Sequence, residues 1–134
     1  MPYACESRLR VRYAETDQMG MVYYANYLVW MEVGRSDFCR QSGFSYLDLE
    51  KKEHAFLTVA EATCRYVAPA RYEDEIVIET ELARARSRLV EFAYRIKCGE
   101  KLLAEGRTVH VVIGTDGRPR AMPAEYLGLL KSKL

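Results

Sequence analysis

YAETDQMGMVYYANY, from Tyr13 to Tyr27, is too polar and too broken by glycine to be a buried strand, and it runs into an apolar stretch with helical character. It places Asp17 ahead of Gly20 and ends in Tyr23, Tyr24 and Tyr27 at the mouth of that helix. The first turn of a helix has backbone N–H groups without intrahelical acceptors, and these stabilise a developing negative charge. A carboxylate beside them can attack a carbonyl or activate a water. The other reading of Asp17 is a turn aspartate bonded to its own backbone, and spacing alone leaves both open. Glu15 is the rival carboxylate, since on an extended segment it shares a face with Asp17.

Outward from this stretch the pattern is regular. Leu9, Val11 and Tyr13 alternate with Arg8, Arg10 and Arg12, which predicts a first strand with one wet face. Asn26 to Ser42 predicts a helix, with Asn26 as N-cap and Gly43 as its stop. Leu28, Val29, Trp30, Met31 and Val33 make its first half apolar nearly all round, so it should be buried there. Gly34 costs such a helix about 1 kcal/mol against Ala, and close packing on a sheet is the expected compensation. Phe44 to Glu53 reads as a short polar helix or loop. Strands follow at Phe56 to Val67, Ile76 to Leu82, Leu89 to Cys98 and Leu102 to Ile113, with a turn at Asp116-Gly117. Pro123 suits the first position of a helix from Ala124 to Leu130. Four successive strands on short turns should pair antiparallel, and the helix before them has a sheet face to cover. The fold class is α+β. No linker, repeat or low-complexity segment divides the chain, so residues 1–134 read as one domain.

The chain has 134 residues, 49% hydrophobic and 29% charged, with a net charge of +1. That size supports a core, and that charge gives no global reason to expect nucleic acid or an anionic membrane as partner. No apolar run approaches a membrane span, and the first residues lack a secretory apolar core, so the expected compartment is the cytoplasm. Cys5, Cys39, Cys64 and Cys98 are scattered and read as reduced thiols. His54 and His110 share no metal-ligand spacing, so no metal site is expected. The G-x-S-x-G elbow and both common nucleotide-binding glycine motifs are absent.

Arg10-Val11, Thr16-Asp17, Gly20, Val22 and Tyr27 stand in the order and spacing of an active-site signature, and with them the chain resembles the 4-hydroxybenzoyl-CoA thioesterase family of acyl-CoA thioesterases. The resemblance runs from about Leu9 to Met122 and includes the runs PARYEDEI, Ser87 to Ile96 and GTDGRPRAMP. Met21 stands where the family usually has Ile or Val, and Tyr24 where it has His or Phe. The resemblance implies the hotdog fold, an antiparallel sheet of about five strands wrapped around one long central helix. It implies hydrolysis of a thioester to free acid and coenzyme A, with Asp17 as general base or as nucleophile. It selects Asp17 over Glu15, which is left solvated or paired with an arginine. It also implies an oxyanion donor in the backbone N–H near Tyr24 and a polar group from the Thr58 region reaching a partner subunit's site, and it counts Gly20 with Asp17, Tyr24 and Thr58 among the catalytic residues. The family works as dimers, commonly paired into tetramers, with sites between subunits. Coenzyme A belongs to the substrate, and no separate cofactor is expected.

The chemistry suits a chain poor in histidine. A thiolate resembles a Cys side chain, with a pKa of about 8.5, and leaves without strong general-acid help. The dehydratases of the same fold pair a His with an acidic residue, and no His lies near Asp17 in sequence. Tyr23, Tyr24 and Tyr27 could line an acyl pocket or simply pack. Tyr23, Tyr24, Trp30 and Phe56 suit an aromatic acyl group or a fatty chain equally. Arg84, Arg86 and Arg88 would share one face of an extended chain around Ser87; Arg86, Ser87 and Arg88 are candidates to hold the phosphates of coenzyme A, against a solvated turn. Two other functions are compatible with the chain. One is a non-catalytic acyl-CoA-binding or regulatory module. The other, an RNA-binding domain on the arginine cluster, is opposed by flanking glutamates and the lack of an interleaved aromatic platform.

Overall fold

The computed structural model describes residues 3–134. In chain order the elements are β1 (Ala4–Arg10), α1 (Asn26–Ser42), α2 (Tyr46–Glu53), β2 (Phe56–Tyr66), β3 (Glu75–Ala85), β4 (Leu89–Cys98), β5 (Lys101–Ile113) and α3 (Ala124–Lys131). The strands form one antiparallel sheet in the order β1-β3-β4-β5-β2. α1 lies across one face of it. Trp30, Met31 and Phe38 from α1 are buried against Ile76, Ile78, Phe92 and Ile96 of the sheet. Each such side chain contributes about 1.5–3 kcal/mol on burial. The α+β hotdog arrangement implied by the resemblance is present.

Several sequence expectations are corrected. The four later strands do not pair in simple succession: β2 crosses to the far edge and pairs with β5, and residues 67–74 connect it to β3. The first strand ends at Arg10, short of Tyr13, which enters a 3-10 turn over Tyr13–Glu15. Its inward positions include Cys5 and Ser7, too small or polar to announce a strand. Asn26 is the first helical residue; its side chain donates to the Glu15 carbonyl instead of capping. Pro123 is likewise the N-cap of α3 and not its first helical residue.

The early half of α1 is not apolar-buried all round. Leu28 is 38% exposed and Val29 49%, on the flank facing β2. The expectation about Gly34 holds: a Cβ there would lie 2.9 Å from Ile78 Cγ2 and would also strike Thr80 Oγ1. The bare backbone is what lets α1 sit this close to β3. Among the described residues no helix is long and apolar enough to cross a membrane.

Candidate active site

Residues 16–22 form a small loop whose ends meet in a bridge between Thr16 and Val22. The Asp17 N–H donates to the Met21 carbonyl at 2.9 Å and the Gly20 N–H to the Asp17 carbonyl at 3.0 Å. Gly20 has φ +76°, which an L side chain rarely adopts, so glycine permits the turn. The Met19 N–H donates to Asp17 Oδ1 at 2.9 Å. Asp17 is therefore a turn aspartate as well as a candidate base. Its other oxygen has no protein donor among the described residues.

Glu15 fixes this loop to α1. It is 5% exposed. Its carboxylate accepts from Trp30 Nε1 at 2.8 Å and from the Arg12 N–H at 2.8 Å, with the Arg12 guanidinium 3.5 Å away. Its carbonyl accepts from the Tyr23 N–H and from Asn26 Nδ2, both at 2.9 Å. The expectation of an arginine partner holds; a solvated Glu15 does not. Burial pushes its carboxyl up, but the bonds from Arg12 and Trp30 outweigh burial and hold it below the ordinary carboxylate range.

Residues 67–74 close the other side. The Val22 N–H donates to the Ala70 carbonyl at 2.8 Å, and Arg71 reaches the Gly20 carbonyl at 3.2 Å. Between the two loops lies a hollow of about 310 Å³. Asp17, Met21, Tyr24, Tyr27, Tyr66 and Pro69 are on its wall, with Asp17 the one carboxylate there. Tyr24 is 60% exposed, and its backbone N–H, just ahead of α1, has no acceptor among the described residues.

The other sequence candidates fall in different places. Tyr27 lines the hollow while its hydroxyl accepts from the Ala70 N–H at 3.1 Å, so it both packs and lines. Tyr23 lies against the Tyr24 ring at 4.6 Å and off the wall itself. Trp30 is buried under Tyr27, and Phe56 lies at the far end of β2. Thr58 is exposed on β2, eight residues from the Tyr66 that borders the hollow, which is about 26 Å of strand. Arg84 bonds Glu91 at 2.7 Å and is not free for phosphate. Arg86, Ser87 and Arg88 form the β3–β4 turn, closed from the Arg86 N–H to the Leu89 carbonyl at 2.8 Å. That turn breaks the shared face expected of an extended chain. It lies at the opposite end of β3 from the Asp17 loop, at the same end of the sheet as Thr58. One chain thus brings Asp17, Gly20, Tyr24 and Tyr27 together and leaves Thr58, Arg86, Ser87 and Arg88 apart.

Sequence reasoning missed Tyr66. Its hydroxyl donates to the Tyr24 carbonyl at 2.9 Å and its ring stands edge-on to Tyr27 at 5.0 Å. Its place shortly before Pro69, where the strand must end, was the available signal.

A family profile described as "Thioesterase-like superfamily" matches residues 11–130. The acyl-CoA thioester hydrolase YbgC of Escherichia coli O6:H1 is 34% identical over 125 residues, 92% of each chain. YneP of Bacillus subtilis is 46% identical over 78 residues, 58% of this chain; the match spans about half of YneP, 56%. The crystal structure of TT1821 from Thermus thermophilus superposes with TM-score 0.93 at 35% identity, covering 98% of both chains. With the profile match running from the end of β1 into α3, and the Asp17 loop inside it, the chain belongs to the thioesterase-like superfamily.

Proposed function

We propose that this thioesterase acts on acyl-CoA, with Asp17 as its catalytic carboxylate. Thioester hydrolysis rests on the family and on its relatives. The observation that carries the Asp17 assignment is that one hollow is lined both by Asp17, one of whose carboxylate oxygens has no protein donor among the described residues, and by Tyr24, whose backbone N–H has no acceptor among them. The thioester carbonyl lies between them. Asp17 attacks it or takes a proton from an attacking water, and the Tyr24 N–H holds the oxyanion. Gly20 shapes the loop that aims Asp17. The rings of Tyr24, Tyr27 and Tyr66 form the acyl wall, with Tyr23 supporting Tyr24 from behind.

The working unit in this reading is a dimer or a pair of dimers, built in the cytoplasm without a separate cofactor. β2 is an edge strand, and its residues from Thr58 to Thr63 are exposed. An unpaired edge of that length favours pairing. Antiparallel pairing of two β2 strands about a twofold near their middle sets Thr58 of one copy opposite Tyr66 of the other. The same operation carries Arg86, Ser87 and Arg88 toward the other copy's Asp17 hollow, where they can hold the phosphates of coenzyme A.

Thiol release from short, long-chain and aromatic acyl-CoAs tests the activity. Turnover of any member supports it; binding without turnover across the panel returns the chain to an acyl-CoA-binding module. A single turnover in 18O-water with excess enzyme separates the two routes. Label retained in Asp17 establishes the nucleophile route, with water attacking the Asp17 carbonyl of the anhydride. Label in the acid alone means that water attacks the acyl carbon, as the general-base route requires, and trapping of an acyl-Asp17 anhydride then decides between that route and anhydride hydrolysis at the acyl carbon.

A further inference from the structure

Arg35 is the buried arginine among the described residues, 8% exposed, and no carboxylate lies within ion-pair distance of it. The hydroxyls of Tyr46 and Tyr94 face its guanidinium and act on it as neutral acceptors. His110 lies nearby, its imidazole pushed down to about 4 by burial and by Arg35, and so it is neutral at pH 7. Arg35 Nε, the Tyr46 hydroxyl and His110 Nδ1 are all buried without a hydrogen-bond partner. A guanidinium cannot shed its proton, and an uncompensated cation in such surroundings is costly.

Arg35 also lines a second hollow, of about 250 Å³, between α1 and the β2–β5 flank. Leu28, Val29, Val59 and Ala62 make its walls apolar, and Thr108 adds one hydroxyl. Glu32 is on the rim, exposed and not bonded to Arg35. The hollow and the Asp17 hollow share no wall residue, but both draw their walls from α1 and β2. Tyr24, just ahead of α1, and Tyr27 of α1 line the first with Tyr66 of β2 and Val67 beyond it, and Leu28, Val29, Glu32 and Arg35 line the second with Val59 and Ala62. Tyr27 to Arg35 is about 12 Å along the helix axis.

We infer that the second hollow receives the far end of the acyl group and that Arg35 binds a carboxylate there. The substrate class is then the coenzyme A monothioester of a long dicarboxylic acid: thioester at Asp17, apolar middle along the α1–β2 seam, free carboxylate at Arg35. This rests on the hydrolytic reading of Asp17. A chain ending in a methyl group would bury that methyl beside a cation with no carboxylate partner, whereas a carboxylate supplies the missing charge.

The test compares dodecanedioyl-CoA with dodecanoyl-CoA on the wild-type protein. The diacid thioester should show kcat/KM about tenfold higher, the worth of one charge-assisted hydrogen bond. In Arg35→Met the ratio should collapse to near one. Equal kcat/KM in the wild type, or a preference that survives in Arg35→Met, overturns the inference. So does a loss of dimer in Arg35→Met with selectivity unchanged, which would assign the guanidinium to a carboxylate of a second copy. Because Arg35→Met can fail to fold, free dodecanedioic and dodecanoic acids are also compared on the wild type by thermal shift, where the diacid should raise Tm more. That result without turnover of any thioester would sink the hydrolytic reading and leave the carboxylate site standing; no difference between the acids, with dodecanoyl-CoA hydrolysed, would do the reverse.

Discussion

Asp17 and Glu15 lie two residues apart, and the fold gives them opposite lives. Asp17 sits at the tip of a glycine turn and keeps one oxygen free over a hollow. Glu15 is spent on structure, holding Trp30, Arg12, Tyr23 and Asn26 at once. The signature singled out Asp17 over Glu15, but this difference in their surroundings was not legible. It depends on Trp30 turning its N–H back toward the loop, which no local pattern announces. Glu15→Ala should lower stability by about 2 kcal/mol, since the Trp30 N–H is left buried and unpaired, and should lower kcat by loosening the loop. Urea titration and thiol release check both. The folded Glu15 carboxyl titrates below its unfolded value of about 4.3, so its contribution is present above that pH and is lost as pH falls through the folded value. Between neutral pH and pH 5 the difference between wild type and Glu15→Gln should therefore stay constant, and it should shrink under more acid conditions.

Helix and strand positions were largely readable, because α1 and the β3–β5 strands carry clear periods. Partnership was not. β2 looks in sequence like the first of four successive strands, yet it pairs with the last of them. Its exposed run from Thr58 to Thr63 is the trace of an edge, and the exposed Leu28 and Val29 of α1 flank the same side. Residues that met sequence expectations of burial everywhere else fail here because this flank lacks a covering layer within one chain. Val59→Lys should leave circular dichroism unchanged and yield a monomer by sedimentation, with activity lost; a stable dimer would contradict β2 pairing. At the contact between α1 and β3, Gly34→Ala gains about 1 kcal/mol of helix propensity but overpacks Ile78 and Thr80. The overpacking should dominate and cost about 2 kcal/mol net, read by chemical denaturation.

At the scale of the molecule, one sheet face holds α1, and Arg35 of α1 and His110 of β5 are both buried, close enough for the guanidinium to depress the imidazole. His110 titrates at about 4 in the fold and at about 6.5 when unfolded. Between those values the unfolded chain binds a proton that the folded one does not, so stability falls as pH drops through this window, by about 3 kcal/mol in full. Denaturant titrations from pH 7 to pH 4 should show that slope, and His110→Leu should remove most of it. Within one chain Thr58, Arg86, Ser87 and Arg88 lie at the other end of the sheet from Asp17, a separation that spacing in the sequence does not show. The most direct test of the account is the rate of thiol release by Asp17→Asn beside wild type on the best acyl-CoA, with binding of the same ligand measured in both. Turnover lost by a thousandfold or more, with binding retained, is the predicted result. Turnover near the wild-type rate would contradict it.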